Sequence, residues 1–270
     1  MAKKYELTEE FLHSSNGTRM FRIKALVNIP YHGVKRGELG GFIESVNNLS
    51  QQGNAWVMPN CHVFGDSEIS GDVIVKNGAE IQDSHLSYDI VVSGIVKIKD
   101  SHLTGNRFRI EDEASLDDCE MRGEGVLIKD KAKLLGIFCD HQLENFEVSE
   151  NASIVNTGDA DTTLGGSNIK ITGNARLTDV WNLIGDNITI QDDAVIEGKT
   201  TLHGNNIIVE DMAVVGENVT IHDNVHLSEC AKVINTNVGD FLILKDASFN
   251  GDIEYDMYDL IKPKAPYTGK

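Results

Sequence analysis

Between residues 57 and 249 the apolar positions follow a seven-residue frame: a large aliphatic residue, a small residue four places on, and another large residue two places after that. The frame occurs eleven times. Its small column runs Cys61, Ala79, Val96, Ala114, Ala132, Ala152, Ala175, Ala194, Ala213, Ala231 and Ala247. The large residue before it runs from Val57 through Ile110 and Ile190 to Ile243, and the one after it from Val63 through Leu116 and Ile196 to Phe249. Successive frames lie 16 to 23 residues apart, mostly 17 to 19. Self-similarity at so short a period is the mark of a solenoid.

A third apolar residue follows many frames: Ile69, Leu86, Leu103, Met121, Leu183, Leu202, Ile221 and Val238. Three sides of about six residues each hold a short strand and a corner but no helix with its loop. Corner residues fall where such a coil needs them. Gly71, Gly105, Gly123, Gly185 and Gly204 follow the third side, and Asp83, Asp100, Asp118 and Asp179 follow the second. Gly has no Cβ to oppose a positive φ, and Asp bonds its own local backbone. The strand positions are Ile and Val, and no helical period separates the frames, which sets the chain apart from leucine-rich repeats. The pattern therefore predicts an all-β chain: a single-stranded parallel β-helix of about eleven coils, its aliphatics pointing into a triangular prism. At about 4.8 Å per coil the rod would run on the order of 50 Å.

Residues 1–54 lack the period and read as a small β-rich head, with a Gly-rich turn at 37–41. Residues 55–250 form the β-helix, and 251–270 a C-terminal cap and tail. Open coil ends expose unpaired edge groups, so both ends of a solenoid need covering. Four cysteines without a CxxC pair oppose a disulfide framework or a structural zinc site. Cys61 sits in the inward column and reads as packing. Neither a signal peptide nor a membrane span is legible, so a soluble, reducing compartment such as the bacterial cytosol is expected.

The run Gly37-Glu-Leu-Gly-Gly-Phe-Ile-Glu44, followed by Asn48-Leu-Ser-Gln-Gln-Gly-Asn-Ala-Trp-Val57, resembles the entry segment of the YdcK-like proteins. These are bacterial and phage hexapeptide-repeat proteins with a β-rich head. The resemblance covers about twenty residues of the head, and the repeats match in kind only. It implies left-handed winding, a homo-oligomer (dimer or trimer), and a place beside trimeric acyltransferases that use acyl-CoA. Fold alone does not carry that activity over.

An acyltransferase of that kind needs a histidine base held beside a group that orients it. The best pair is His85 and His102, each in the tetrad Asp-Ser-His-Leu, seventeen residues apart and so in adjacent coils, with Glu120 at the equivalent place in the next. Outward-pointing corner chemistry is the stronger explanation of the tetrads. The step from Val148 to Ile171 is 23 residues, and its excess falls in a polar loop at 156–167. There Asp159 and Asp161 alternate as weak Ca²⁺ candidates, though no further ligands accompany them. Cys139 and His141, with Asp140 between, are a weak metal or nucleophile cluster.

Charge changes the picture more. The chain carries −18, yet residues 1–44 hold seven Lys/Arg against five Asp/Glu, so the remainder carries −20. Such a body repels phosphates and is not expected to bind nucleic acid directly. Two places after each first aliphatic, one corner holds Asp112, Asp130, Glu150, Asp192, Asp211 and Glu229, among eleven positions that otherwise read Pro59, Asn77, Gly94, Gly173 and Lys245. Stacked carboxylates about 5 Å apart repel by about 1 kcal/mol even in water, and Asn or Gly would serve the turn as well. Solubility, a surface for a basic protein, and divalent-cation binding all explain such an edge. The leading expectation is a non-catalytic, phage- or prophage-associated interaction protein that binds a basic partner, such as a nuclease or defence enzyme, in the manner of a DNA mimic. It would need no cofactor. The alternative is an acyltransferase using acyl-CoA, with His85 or His102 as base.

Overall fold

The computed structural model describes residues 3–14, 16–137, 143–157, 165–179, 182–198, 201, 204–216, 220–221, 225–234, 237–238, 242–245 and 248–250. The chain is all-β with parallel sheets wound into a β-solenoid of about nine turns. The turn count falls slightly below the eleven coils expected from the sequence. Two compact units divide the chain, Met1–Lys131 and Ala132–Lys270.

The first unit opens with an antiparallel sheet of β1 (Tyr5–His13), β2 (Arg19–Ala25) and β3 (Leu39–Ile43). β1 is the edge strand. Its register breaks between Leu7 and Phe11, where Glu9 and Glu10 stand. A bulge and a charge together block further strand addition. β3 then pairs in parallel with His62–Phe64, Phe42 against His62 and Ile43 against Val63, so the head sheet runs on into a solenoid wall. The sequence suggests a turn across 37–41, but only Gly37 turns (φ 92), while Gly40 and Gly41 lie inside the strand. A Cβ on Gly41 would lie 2.6 Å from the carbonyl oxygens of Cys61 and Met58, so only glycine lets the head backbone close on the first coil. Below β1, Tyr5 is buried and its hydroxyl donates to the Leu49 carbonyl at 2.6 Å. The Lys4 ammonium, 4% exposed, donates to the Ala55 carbonyl at 2.9 Å and that of Gln52 at 3.3 Å.

Three walls follow in this unit. A typical coil reads Ile74–Lys76, Glu80–Gln82, His85–Leu86, and the next Asp89–Gly94, Lys97–Lys99, His102–Leu103. Most strands are two or three residues long because the corners recur so soon. The alternating side-chain period of a strand leaves one residue inward, as in Glu80–Gln82, where only Ile81 is fully buried. In the second unit, one wall runs from Phe146–Val148 through Ile169–Ile171 and Ile188–Ile190 to Leu242–Lys245, and another from Lys133–Leu135 to Ser248–Asn250. Third-wall strands among the described residues of this unit are Thr220–Ile221 and Asn237–Val238. Leu183 is buried where a third side is expected, but lies in no strand.

The small column from Cys61 to Ala231 is fully buried, every member at 0% exposure, as are its aliphatic neighbours from Val57 to Leu227. Ala247 lies outside the described residues. One frame shifts: Leu227 pairs with Leu244, not Ile243. Adjacent aliphatics leave that register open in the sequence, and the shorter last step settles it one residue later. Residues 251–270, read as a cap, lie outside the described residues.

Candidate functional site

The corner after each first wall is left-handed backbone. φ is 62° at Asn77 and Asp112 and 60° at Asp130 in the first unit; in the second it is 62° at Glu150, 71° at Gly173, 59° at Asp192 and Asp211, and 57° at Glu229. In the first coil the left-handed residue is Asn60, not Pro59, because the proline ring locks φ near −65°. The column's preference for Asp, Asn and Gly thus follows from the few residues that visit this region at low cost.

The carboxylates also have a task that the sequence does not show. Asp112 Oδ2 accepts from the backbone N–H of Asp130 at 3.4 Å. Asp192 Oδ2 accepts from Asp211 N–H at 3.3 Å, and Asp211 Oδ2 from Glu229 N–H at 2.9 Å. Each of these three Asp side chains satisfies the corner of the next coil. Turn geometry therefore does favour an acceptor here, which corrects the expectation that the carboxylate is a free choice. Glycine enters the column where the next corner crowds it: a Cβ on Gly173 would meet Asp192 N at 2.5 Å. Asp112, Glu150, Asp192 and Asp211 are exposed, while Asp130 and Glu229 are half-buried. A second acidic row accompanies the column, partly neutralised in the first unit by Arg109, whose Nη2 lies 2.9 Å from Glu111 Oε1.

His85, His102 and Glu120 come together as the spacing predicts. They stand in register on the third wall, preceded by Glu68, as the column Glu68, His85, His102, Glu120. The two imidazoles stack, with centroids 5.1 Å apart and planes 9° from parallel, and both are exposed. The tetrad explains itself from the inside. Ser84 and Ser101 are fully buried; Ser84 Oγ accepts from Ser101 N–H at 3.1 Å and Ser101 Oγ from Cys119 N–H at 3.3 Å. The chain starts at Ser67, whose Oγ accepts from Ser84 N–H at 3.2 Å. This hydroxyl ladder holds the second corner, and Asp83, Asp100 and Asp118 beside it have φ near 50°.

Sequence reasoning missed a second polar cluster, in the second unit. His226 Nε2 lies 2.7 Å from Glu210 Oε1, and Gln191 Nε2 donates to Glu210 Oε2 at 2.8 Å. The coil spacing between Gln191 and Glu210 was the signal that could have found it, since it puts them at one height on successive coils. Burial lowers the pKa of His32 and of His62 below the usual imidazole value, and raises that of the Cys61 thiol. Cys61 is thus inert packing, as its column implies.

Asp159, Asp161, Cys139 and His141 lie outside the described residues. Among the described residues no group of three or more His, Cys, Asp or Glu converges as metal ligands, and no helix is long and apolar enough to cross a membrane. No protein-family model matches this chain, and no curated protein matches it.

Proposed function

We propose that this chain is a non-catalytic interaction protein whose corner carboxylates engage a basic protein partner. The observation that carries this reading is the recurrence of carboxylates at equivalent left-handed corners, Asp112 and Asp130 in the first unit and Glu150, Asp192, Asp211 and Glu229 in the second. The body's charge of −20 outside the head supports it. Such columns attract a partner by long-range steering, so association should be fast and salt-sensitive. A DNA-binding protein, such as a nuclease or defence enzyme of a phage-infected host, has the complementary groove. The same reading places the chain in the bacterial cytosol as a homo-oligomer of YdcK-like, left-handed type.

The test uses substitutions that respect the corner. Asp112, Asp130, Asp192 and Asp211 are changed together to Asn, and Glu150 and Glu229 to Gln. Asn keeps the left-handed backbone and one acceptor oxygen, so charge is removed without loss of fold. Proteins captured from host lysate at low salt are identified by mass spectrometry, and each is measured against both forms of the chain. Salt-sensitive binding that the neutralised form loses, with unchanged circular dichroism, is the expected result. Equal binding by both forms removes the reading.

A second reading, acyl transfer from acyl-CoA, is favoured by one observation: Glu210, itself held by Gln191, orients the His226 ring as a base requires. His85 and His102 gain no such partner, since each ring stacks on the other. Saturable acetyl-CoA binding by calorimetry, lost in His226→Ala, supports this reading, and absence of heat with several acyl-CoAs removes it.

A further inference from the structure

We propose that His85 and His102 together form a chelating site for a divalent transition-metal ion of the imidazole-preferring kind, Zn²⁺, Ni²⁺ or Cu²⁺. The inference is independent of the partner-binding reading and of the acyltransferase one.

The two histidines occupy one register position on neighbouring strands, fixed from behind by the buried pair Leu86 and Leu103. Their backbones therefore cannot drift apart. Both rings are exposed, and they already lie parallel at 5.1 Å. Two nitrogens bound to one ion at about 2.0–2.1 Å each sit closer together than that. Rotation about χ1 and χ2 of two unhindered side chains brings them in, with no backbone movement. Imidazole nitrogen suits Zn²⁺, Cu²⁺ and Ni²⁺ and is a poor ligand for Mg²⁺ or Ca²⁺.

Neighbouring charges favour a cation. Glu68 stands in register beside His85, and Glu120 beside His102. Asp83 and Asp100 form the preceding corners. Two cations oppose them: Arg122, 3.7 Å from Glu120 Oε1, and Lys99, 2.9 Å from Asp100 Oδ2. Glu68 is thus the carboxylate best placed to approach the ion, and water completes the coordination. With two imidazoles and no third protein ligand already converged, the site is exchangeable and of the binding kind, not a structural zinc.

Calorimetry on the tag-free full chain tests this with Zn²⁺ and with Ni²⁺ at pH 7.5. One ion per chain is expected. His85→Ala and His102→Ala should each weaken binding by about tenfold or more, and His226→Ala should leave it unchanged. A readout that needs no substitution is paramagnetic broadening by substoichiometric Cu²⁺, which should strike the ring signals of His85 and His102 together. Binding undiminished in both His85→Ala and His102→Ala, broadening centred on other histidines, or no saturable heat with either ion overturns the proposal.

Discussion

Asp211 reaches across to the next coil and accepts a hydrogen bond from the backbone of Glu229, Oδ2 to N at 2.9 Å. Sequence places these residues eighteen apart, and the solenoid makes them neighbours. Asp211→Ala loses both the acceptor and the tolerance of a φ of 59°. A loss of about 1–3 kcal/mol is expected, against less than about 1 kcal/mol for Asp211→Asn, which keeps both. Urea midpoints of the two variants check the order; equal losses would mean that the bond contributes nothing.

The serine ladder gives a sharper contrast. Removing Ser101 Oγ leaves the buried N–H of Cys119 without its acceptor. Ser101→Ala should cost about 1–3 kcal/mol. Ser101→Cys should cost less, because Cys119 already fills the equivalent place in the next coil and its Sγ lies 3.3 Å from the Asp117 carbonyl. Thermal unfolding of the pair decides it.

Gly41 closes the head on the first coil. The atoms that a Cβ would strike are backbone oxygens of Cys61 and Met58, which cannot rotate away. Gly41→Ala should destabilise by about 1–3 kcal/mol or more, through a forced shift of the strand. Hydrogen exchange should rise in β1–β3 and in residues 56–64 first. Exchange that rises only far along the chain would refute this placement.

Two head residues set the alkaline behaviour. Burial pushes the Lys4 ammonium down to about 8 from 10.5, so between those pH values the unfolded chain holds the extra proton and stability rises with pH. The Tyr5 hydroxyl is pushed up to about 12 from 10.0, again by burial, so above pH 10 the folded chain holds the extra proton and stability falls. Stability should therefore climb from about pH 8 to 10 and then decline. Lys4→Met should flatten the climb and Tyr5→Phe the decline. Denaturation midpoints across that range measure both.

The walls were legible because one physical demand, a buried residue every turn of each strand, writes the same letters at Ala79, Ala114 and Ala194. The His85–His102 register was legible for the same reason: identical tetrads one coil apart must stack. What the sequence hid were bonds between coils. Nothing in Asp211 alone says that its oxygen serves the next corner. Ser84 reads as a surface corner residue until its neighbour's N–H is placed over it. The last frame was misread by one because Ile243 and Leu244 are equally apolar, and Gly40 and Gly41 look like a turn until the first coil's carbonyls fill the space where side chains would go. The Gln191–Glu210–His226 cluster was missed because His226, just before Leu227, sits in a different column of the frame from Gln191 and Glu210.

That the corner carboxylates of the second unit stand in one column is the claim on which the proposed surface depends. Nitroxide labels at Asp192→Cys and Glu229→Cys, with Cys230→Ser to clear the nearby exposed thiol, test it by continuous-wave resonance. Two coils separate the sites, so their backbones should lie about 10 Å apart, and strong dipolar broadening is expected. Spectra equal to the sum of the two single labels would contradict the column.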